Sequence, residues 1–116
     1  MKNASVSKSG ITGAGISCAG TCDPKSGKVL HAYNLGFENL PICDMVNFRL
    51  GMPVRLANDA DAAAYAEAFC GSGKGAKNAI YICIGTGIGV GMIINGHIYS
   101  GSGCAGTEAG HMLIAL

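Results

Sequence analysis

Between Ile11 and Gly20 the chain reads ITGAGISCAG, in which small and β-prone residues alternate with glycine. That pattern predicts a strand whose backbone is approached closely at its glycines. Pro24 and Gly27 in CDPKSGKV supply a turn, and KVLHAY reads as a second strand, so the two are expected to pair as a hairpin. From Leu40 the spacing becomes helical, with apolar residues at Leu40, Cys43, Met45, Val46 and Leu50 before Gly51 and Pro53 close the helix. A strand PVRLA follows. Asn58-Asp59-Ala60-Asp61 then opens an alanine-rich helix to Phe69, with Asn58 or Asp59 available to cap the first turn and Gly71 to end it. After the loop GSGKGAK come a strand NAIYICI, a glycine turn GTGIGVG and a strand MIING, whose Asn95-Gly96 forms a two-residue hairpin turn into HIYSG. The order is mixed α/β with hairpins, and neither a repeat period nor a proline- or charge-rich linker interrupts it. The last residues, HMLIAL, are apolar and β-prone and stop without a turn, so the chain is expected to be a segment of a larger protein.

Composition sharpens this picture. At 116 residues the chain has room for one unit, yet 49% of it is hydrophobic and 13% charged. Its mean hydropathy of +0.35 exceeds what a free-standing domain needs, which implies surface meant to be covered. The apolar runs Ala79 to Ile84 and Ile88 to Ile94 are short and are bounded or broken by glycine, far from a membrane-spanning length. A net charge of +1 and the absence of Trp offer neither a basic stripe nor a stacking platform for nucleic acid. The polar start MKNASVSKSG carries no secretory pattern, so the expected compartment is the cytoplasm, with no membrane partner. Six cysteines, Cys18, Cys22, Cys43, Cys70, Cys83 and Cys104, include no C-x-x-C pair and are expected to be reduced and mostly structural, Cys83 being a small buried thiol inside IYICI. The 19 glycines cluster among Ile, Val, Met and Cys, in or beside strands, not in serine-rich linkers.

Three places carry candidate chemistry. Gly85-Thr86-Gly87-Ile88-Gly89-Val90-Gly91 follows a strand, where backbone N–H groups can cradle phosphate oxygens. A dinucleotide fingerprint is excluded because Val90 occupies its last glycine place and β-prone residues follow. A Walker A loop is excluded because Lys74 precedes Gly75 where Ser or Thr is required. What survives is a strand, glycine turn, strand unit with the Thr86 hydroxyl as an added donor; a plain glycine-rich hairpin is the alternative. Asp59 stands at a helix start after a short strand, either as a site carboxylate at the sheet edge or as a simple cap. Asp61 and Glu67, on the same helix, either solvate it or lock neighbours. Glu108 and His111 are spaced i, i+3, which lets a carboxylate and an imidazole converge on sugar hydroxyls, on a metal or on a proton-transfer task, unless the histidine is merely structural. His31 and His97 read as surface or core histidines.

Taken in order, GAGISCAG, LANDADAAAYAEAFCGSGKG and IGTGIGVGMIINGHIYSGSGCAGTEAGH resemble the ROK sugar kinases (repressor, open reading frame, kinase) from about Gly10 to the last residue. IINGHIYSG and AEAFCGSGKG look most like bacterial glucokinases within that family. The resemblance implies a ribonuclease-H-like fold of the actin, hexokinase and Hsp70 type, here incomplete. Residues 1–116 would span part of the amino-terminal lobe and the start of the carboxy-terminal lobe. It implies ATP-dependent phosphorylation of a hexose, glucose before fructose or an N-acetylated hexosamine, with Mg2+ beside the nucleotide. Asp59 matches the catalytic base. Gly20, Asn34, Asn58, Asp59 itself, Glu108 and His111 match sugar contacts, and Gly85, Thr86 and Gly87 match a phosphate-binding motif. The family also implies a homo-oligomer in the full-length form and zinc in many members, with His111 as one ligand and its partner cysteines outside this chain. Ala57 replaces the usual Glu of the E-N-D motif, and Gly106-Thr107-Glu108-Ala109-Gly110-His111 stands for A-G-E-I-G-H; neither change removes a functional side chain. The upstream D-x-G-G-T motif and the downstream cysteine cluster are not in the sequence, so the isolated chain is expected not to turn over sugar. A sugar-responsive repressor of the same family and a ligand-free glycine-rich β module are the competing assignments.

Overall fold

The computed structural model describes residues 7–113. Most of the polar start and the last three residues of HMLIAL lie outside them, and with them the expectations about a leader and an apolar end strand. In chain order the strands are β1 (Ala14–Cys18), β2 (Thr21–Asp23), β3 (Lys28–Ala32), β4 (Phe37–Leu40), β5 (Val54–Asn58), β6 (Ala79–Ile84), β7 (Ile88–Ile94) and β8 (His97–Ile98). The helices are α1 (Ile42–Leu50) and α2 (Asp59–Cys70).

The first expected hairpin is differently built. β1 pairs in parallel with β5, in register Ile16 to Leu56 and Cys18 to Asn58, while the hairpin joins β2 to β3. Gly20 is the reason. Its φ of +94° breaks the run between Cys18 and Thr21, and a Cβ there would strike the His31 carbonyl, so ITGAGISCAG cannot be one straight strand. The hairpin turn is where proline and glycine put it, held by Asp23, whose Oδ1 accepts from the Lys25 N–H at 2.9 Å and whose Oδ2 accepts from the Ser26 hydroxyl at 2.6 Å.

The helical spacing that starts at Leu40 hides β4. Leu40 pairs with Val29 in the sheet, and Pro41, whose ring disfavours helical geometry in the residue before it, marks the boundary at which α1 starts. Gly51 ends α1 in the left-handed conformation at φ +66°. Around these strands Cys18, Cys22, Val29, Ala32, Cys43 and Leu56 form one buried cluster, with Ile16, Phe37, Leu40, Ile42 and Val54 packed against it.

α2 forms where the alanine run begins. Asn58 stays extended and its Oδ1 accepts from the N–H groups of Ala60 and Asp61 at 2.9 and 3.2 Å. Ala60 and Ala64 are buried against β7, where a Cβ on Gly91 would stand 2.5 Å from the Ala60 carbonyl oxygen. Small residues on both surfaces allow this close approach, which explains why the alanines and the strand glycines occur together. β6 and β7 pair antiparallel, and Asn95 and Gly96, at φ +53° and +80°, make the expected tight turn into β8.

The six cysteines are all unpaired thiols, with Cys18, Cys22 and Cys43 buried. Cys83 is exposed, against expectation. It is on the same side of β6 as Tyr81, but near the strand end where the wall opens into a cleft. No helix among the described residues is long and apolar enough to cross a membrane.

Candidate active site

Asp59 is the first residue of α2, directly after β5, so the strand-to-helix junction fixes its backbone while its carboxyl group stays exposed. Capping falls to Asn58, which also anchors the junction across the fold: its Nδ2 donates to the Gly20 carbonyl at 2.9 Å, tying β5 to the turn between β1 and β2. This one amide thereby joins two of the positions singled out in the sequence.

Two cavities meet at Asp59. One, of about 410 Å³, is lined by Gly85, Thr86 and Gly87 at the β6–β7 turn, with Tyr81, Cys83 and Ala63 on its walls. The other, of about 600 Å³, is lined by Gly20, Asn58, Asp61, Glu108 and His111. Asn34, Asp59, Ala60 and Gly89 line both. Both volumes lie in the range of small-molecule sites. Each expected sugar-contact and phosphate-turn position lines one or other of these cavities, including Asn34, which lines both from a short 3-10 turn from Tyr33 to Leu35.

At the first cavity the Gly85 N–H donates to the Gly87 carbonyl at 2.9 Å, which closes the turn and spends one of the expected phosphate donors within the protein. The Thr86 hydroxyl remains as the side-chain donor at the tip. In the second cavity Glu108 and His111 approach at 3.5 Å between Oε2 and Nε2, on a 3-10 turn from Ala109 to His111, so the i, i+3 spacing does bring them to one face. Gly110 makes this possible, because a Cβ there would collide with the Ile88 carbonyl of β7.

Asp61 and Glu67 lock neighbours. Glu67 Oε2 accepts from both the N–H and the hydroxyl of Ser72, and Asp61 Oδ2 accepts from the Ser100 hydroxyl at 3.2 Å. Burial pushes the Asp61 carboxyl above its ordinary range, and the carboxylates of Asp59 and Glu108 add to this while the Ser100 bond opposes it.

Four cavity residues carried no strong sequence signal. His31, from β3, and Tyr33 stack with ring centroids 6.2 Å apart, and both line the second cavity with Thr21 and Thr107. Alternation gave no hint of His31, which is exposed although it stands two residues from the buried Val29 on β3. No group of three His, Cys, Asp or Glu residues among the described residues is arranged to hold a metal ion. His111, expected as one zinc ligand with its partner cysteines outside this chain, has Glu108 as its neighbour.

The ROK family model matches residues 1–115. The chain belongs to the ROK family. Its similarity to a glucokinase from Halalkalibacterium halodurans is 39% identity over 109 residues, covering 93% of this chain and 33% of the relative. A putative xylose repressor from a Caldicellulosiruptor species is 37% identical over 114 residues, covering 98% of this chain and 29% of that protein. Among solved structures, a ROK glucokinase from Streptomyces griseus in complex with glucose and AMPPNP superposes with a TM-score of 0.83 at 38% identity, covering 90% of this chain and 34% of that one. The chain thus spans about a third of the length of the curated relatives it matches. Its mixed α/β architecture is part of the actin and hexokinase type of fold of the ROK kinases.

Proposed function

We propose that this chain carries the sugar pocket, the catalytic carboxylate and one phosphate-binding turn of an ATP-dependent hexose kinase that converts glucose to glucose 6-phosphate. The observation that carries this is the position of Asp59, whose residue lines the glycine-turn cavity and the Glu108/His111 cavity together. A carboxylate at such a junction can accept the proton of a sugar hydroxyl as its oxygen attacks the γ-phosphorus. The new oxygen–phosphorus bond forms as the bond from the γ-phosphorus to the bridging oxygen breaks, and ADP leaves.

Asn58, Asn34, Glu108, His111 and the Gly20 backbone would hold the sugar hydroxyls, while Gly85, Thr86 and Gly87 would face the phosphates. Magnesium would enter with ATP as part of the substrate. In this scheme the residues up to β5 belong to one lobe, and α2, which packs on β6 and β7, begins the other with them, with the cleft between the lobes.

The xylose repressor relatives support a second reading, a sugar sensor without phosphoryl transfer. The kinase is favoured by the carboxylate of Asp59 standing between the sugar-side cavity and a glycine turn, an arrangement that sugar binding alone does not require. The test is a coupled assay of ADP release with glucose on the full-length form, beside glucose titration, because the isolated 116-residue chain is expected not to turn over sugar. Asp59→Asn keeps the side-chain acceptor for the Ala60 N–H and removes the base, so kcat should fall about 10²- to 10⁴-fold with glucose affinity and melting temperature unchanged. Glucose binding with no ADP release from the unmodified protein would favour the sensor; full turnover by the Asn variant would remove Asp59 from its role.

A further inference from the structure

Asp61 has no helix-capping task to explain it. Asn58 already accepts from the Ala60 and Asp61 N–H groups. Asp61 is half-buried, and its Oδ1 is closed off from solvent with no hydrogen-bond partner, an arrangement that is costly for a carboxyl group. Its Oδ2 reaches the hydroxyl of Ser100, 39 residues away, at 3.2 Å. Ser100 in turn accepts the Gly106 N–H on its carbonyl at 3.0 Å. Gly101, at φ +65°, and Gly106 pass so closely that a Cβ on Gly101 would stand 2.7 Å from the Gly106 Cα. The loop is therefore pinched shut at its base, and the base is held by Asp61. Glu108 follows Gly106 by two residues.

We propose that Asp61 is a positioning residue: through Ser100 it fixes residues 100–111, and so Glu108 and His111, against the first turn of α2 where Asp59 stands. The proposal deepens the hexose-kinase reading and rests on it for the part that concerns sugar. One carboxyl group then keeps the groups that hold the substrate in the cavity where the base stands, so that loosening them is felt in substrate binding. An apolar cavity of about 630 Å³, lined by Ile16, Leu56, Tyr65 and Ile98, lies on the other side of Asp61, so the side chain stands between a polar and an apolar compartment. Arg55 and Ser17 line that cavity too, and Ser100 is the partner Asp61 has taken.

The experiment uses the full-length form with Asp61→Ala, Asp61→Asn and Ser100→Ala, and reads amide hydrogen exchange alongside glucose kinetics. Asp61→Ala and Ser100→Ala should each speed exchange across residues 100–111 about 10-fold while the α2 amides keep their protection. Both should raise KM for glucose about 10-fold with kcat within about 3-fold of the unmodified protein. Asp61→Asn, which still accepts from the Ser100 hydroxyl, should restore KM and loop protection to within about 3-fold. Unchanged exchange in both alanine variants, an Asn variant no better than Ala, or a loss in kcat at constant KM would each overturn the proposal. If Asp61→Ala fails to fold, Ser100→Ala decides alone. If the unmodified protein neither binds nor phosphorylates glucose, the kinase reading falls, and loop exchange still decides whether Asp61 holds this segment.

Discussion

Asn58 and Asp59 were interchangeable as caps on paper, and in the structure the work is divided between neighbours. Asn58 takes the helix start and the Gly20 carbonyl, which leaves the exposed Asp59 carboxyl directed at the cavities. Asp61 belongs to the same turn but is desolvated, and its raised pKa makes stability depend on pH. A carboxyl group that folding makes harder to ionise favours the folded state below its unfolded value of 3.8, and that contribution is lost as pH rises through the higher folded value. Urea unfolding across the acidic range should therefore show a decline in stability with rising pH from about 4 upward that is smaller in Asp61→Asn. Identical pH slopes in the two proteins would contradict the desolvation of this side chain. The cysteines divide in the same way. Burial pushes the Cys22 thiol up to about 12 and raises that of Cys43, whereas Cys70 and Cys83 are exposed. Brief alkylation near neutral pH followed by peptide mapping should label Cys70 and Cys83, with Cys18, Cys22 and Cys43 reacting only after denaturation.

At the level of elements, the contact of α2 with β7 holds the two halves of the site at a constant separation, because Asp59 starts the helix and the glycine turn starts the strand. It depends on residues without side-chain bulk. Gly91→Ala would push a methyl group against the Ala60 carbonyl and the Ala64 methyl at 2.5 and 2.6 Å, and both belong to an element that cannot shift alone. A loss of about 1–3 kcal/mol is expected in urea unfolding, with a larger fall in sugar turnover than stability alone explains, since Asp59 moves with the helix. Gly87, where an added Cβ meets nothing within 4 Å, is the control for the packing effect and should tolerate alanine with little loss of stability. These two glycines look alike in the sequence and differ only in what stands opposite them.

For the whole molecule, the apolar excess in the composition has a location. Ile80, Ile82 and Ile84 alternate along β6 on the face turned away from α2 and are 66%, 60% and 80% exposed. The radius of gyration, 15.9 Å, exceeds the roughly 13 Å of a compact chain of this length. The 116-residue chain on its own is expected to self-associate through this face, giving a sedimentation coefficient that rises with concentration, and Ile82→Lys with Ile84→Lys should return it to a monomer. A concentration-independent monomer with a sharp melt would reject this. Sequence by itself determined the local elements wherever a short-range cause exists: the Asn58 cap, the Gly51 stop, the Asn95-Gly96 turn and the order of the site motifs. It also singled out Asp59, Glu108, His111 and the Gly85 turn, because cap, spacing and glycine pattern are properties of neighbouring residues. Only the tertiary structure decided that β1 runs beside β5 and that β4 exists at all. It alone exposed Cys83, brought His31 and Tyr33 to the Glu108/His111 cavity and linked Asp61 to Ser100. Those outcomes depend on which surfaces meet across tens of residues, and contact between distant segments is set by packing and close backbone approach, for which a linear pattern of side chains holds no distance.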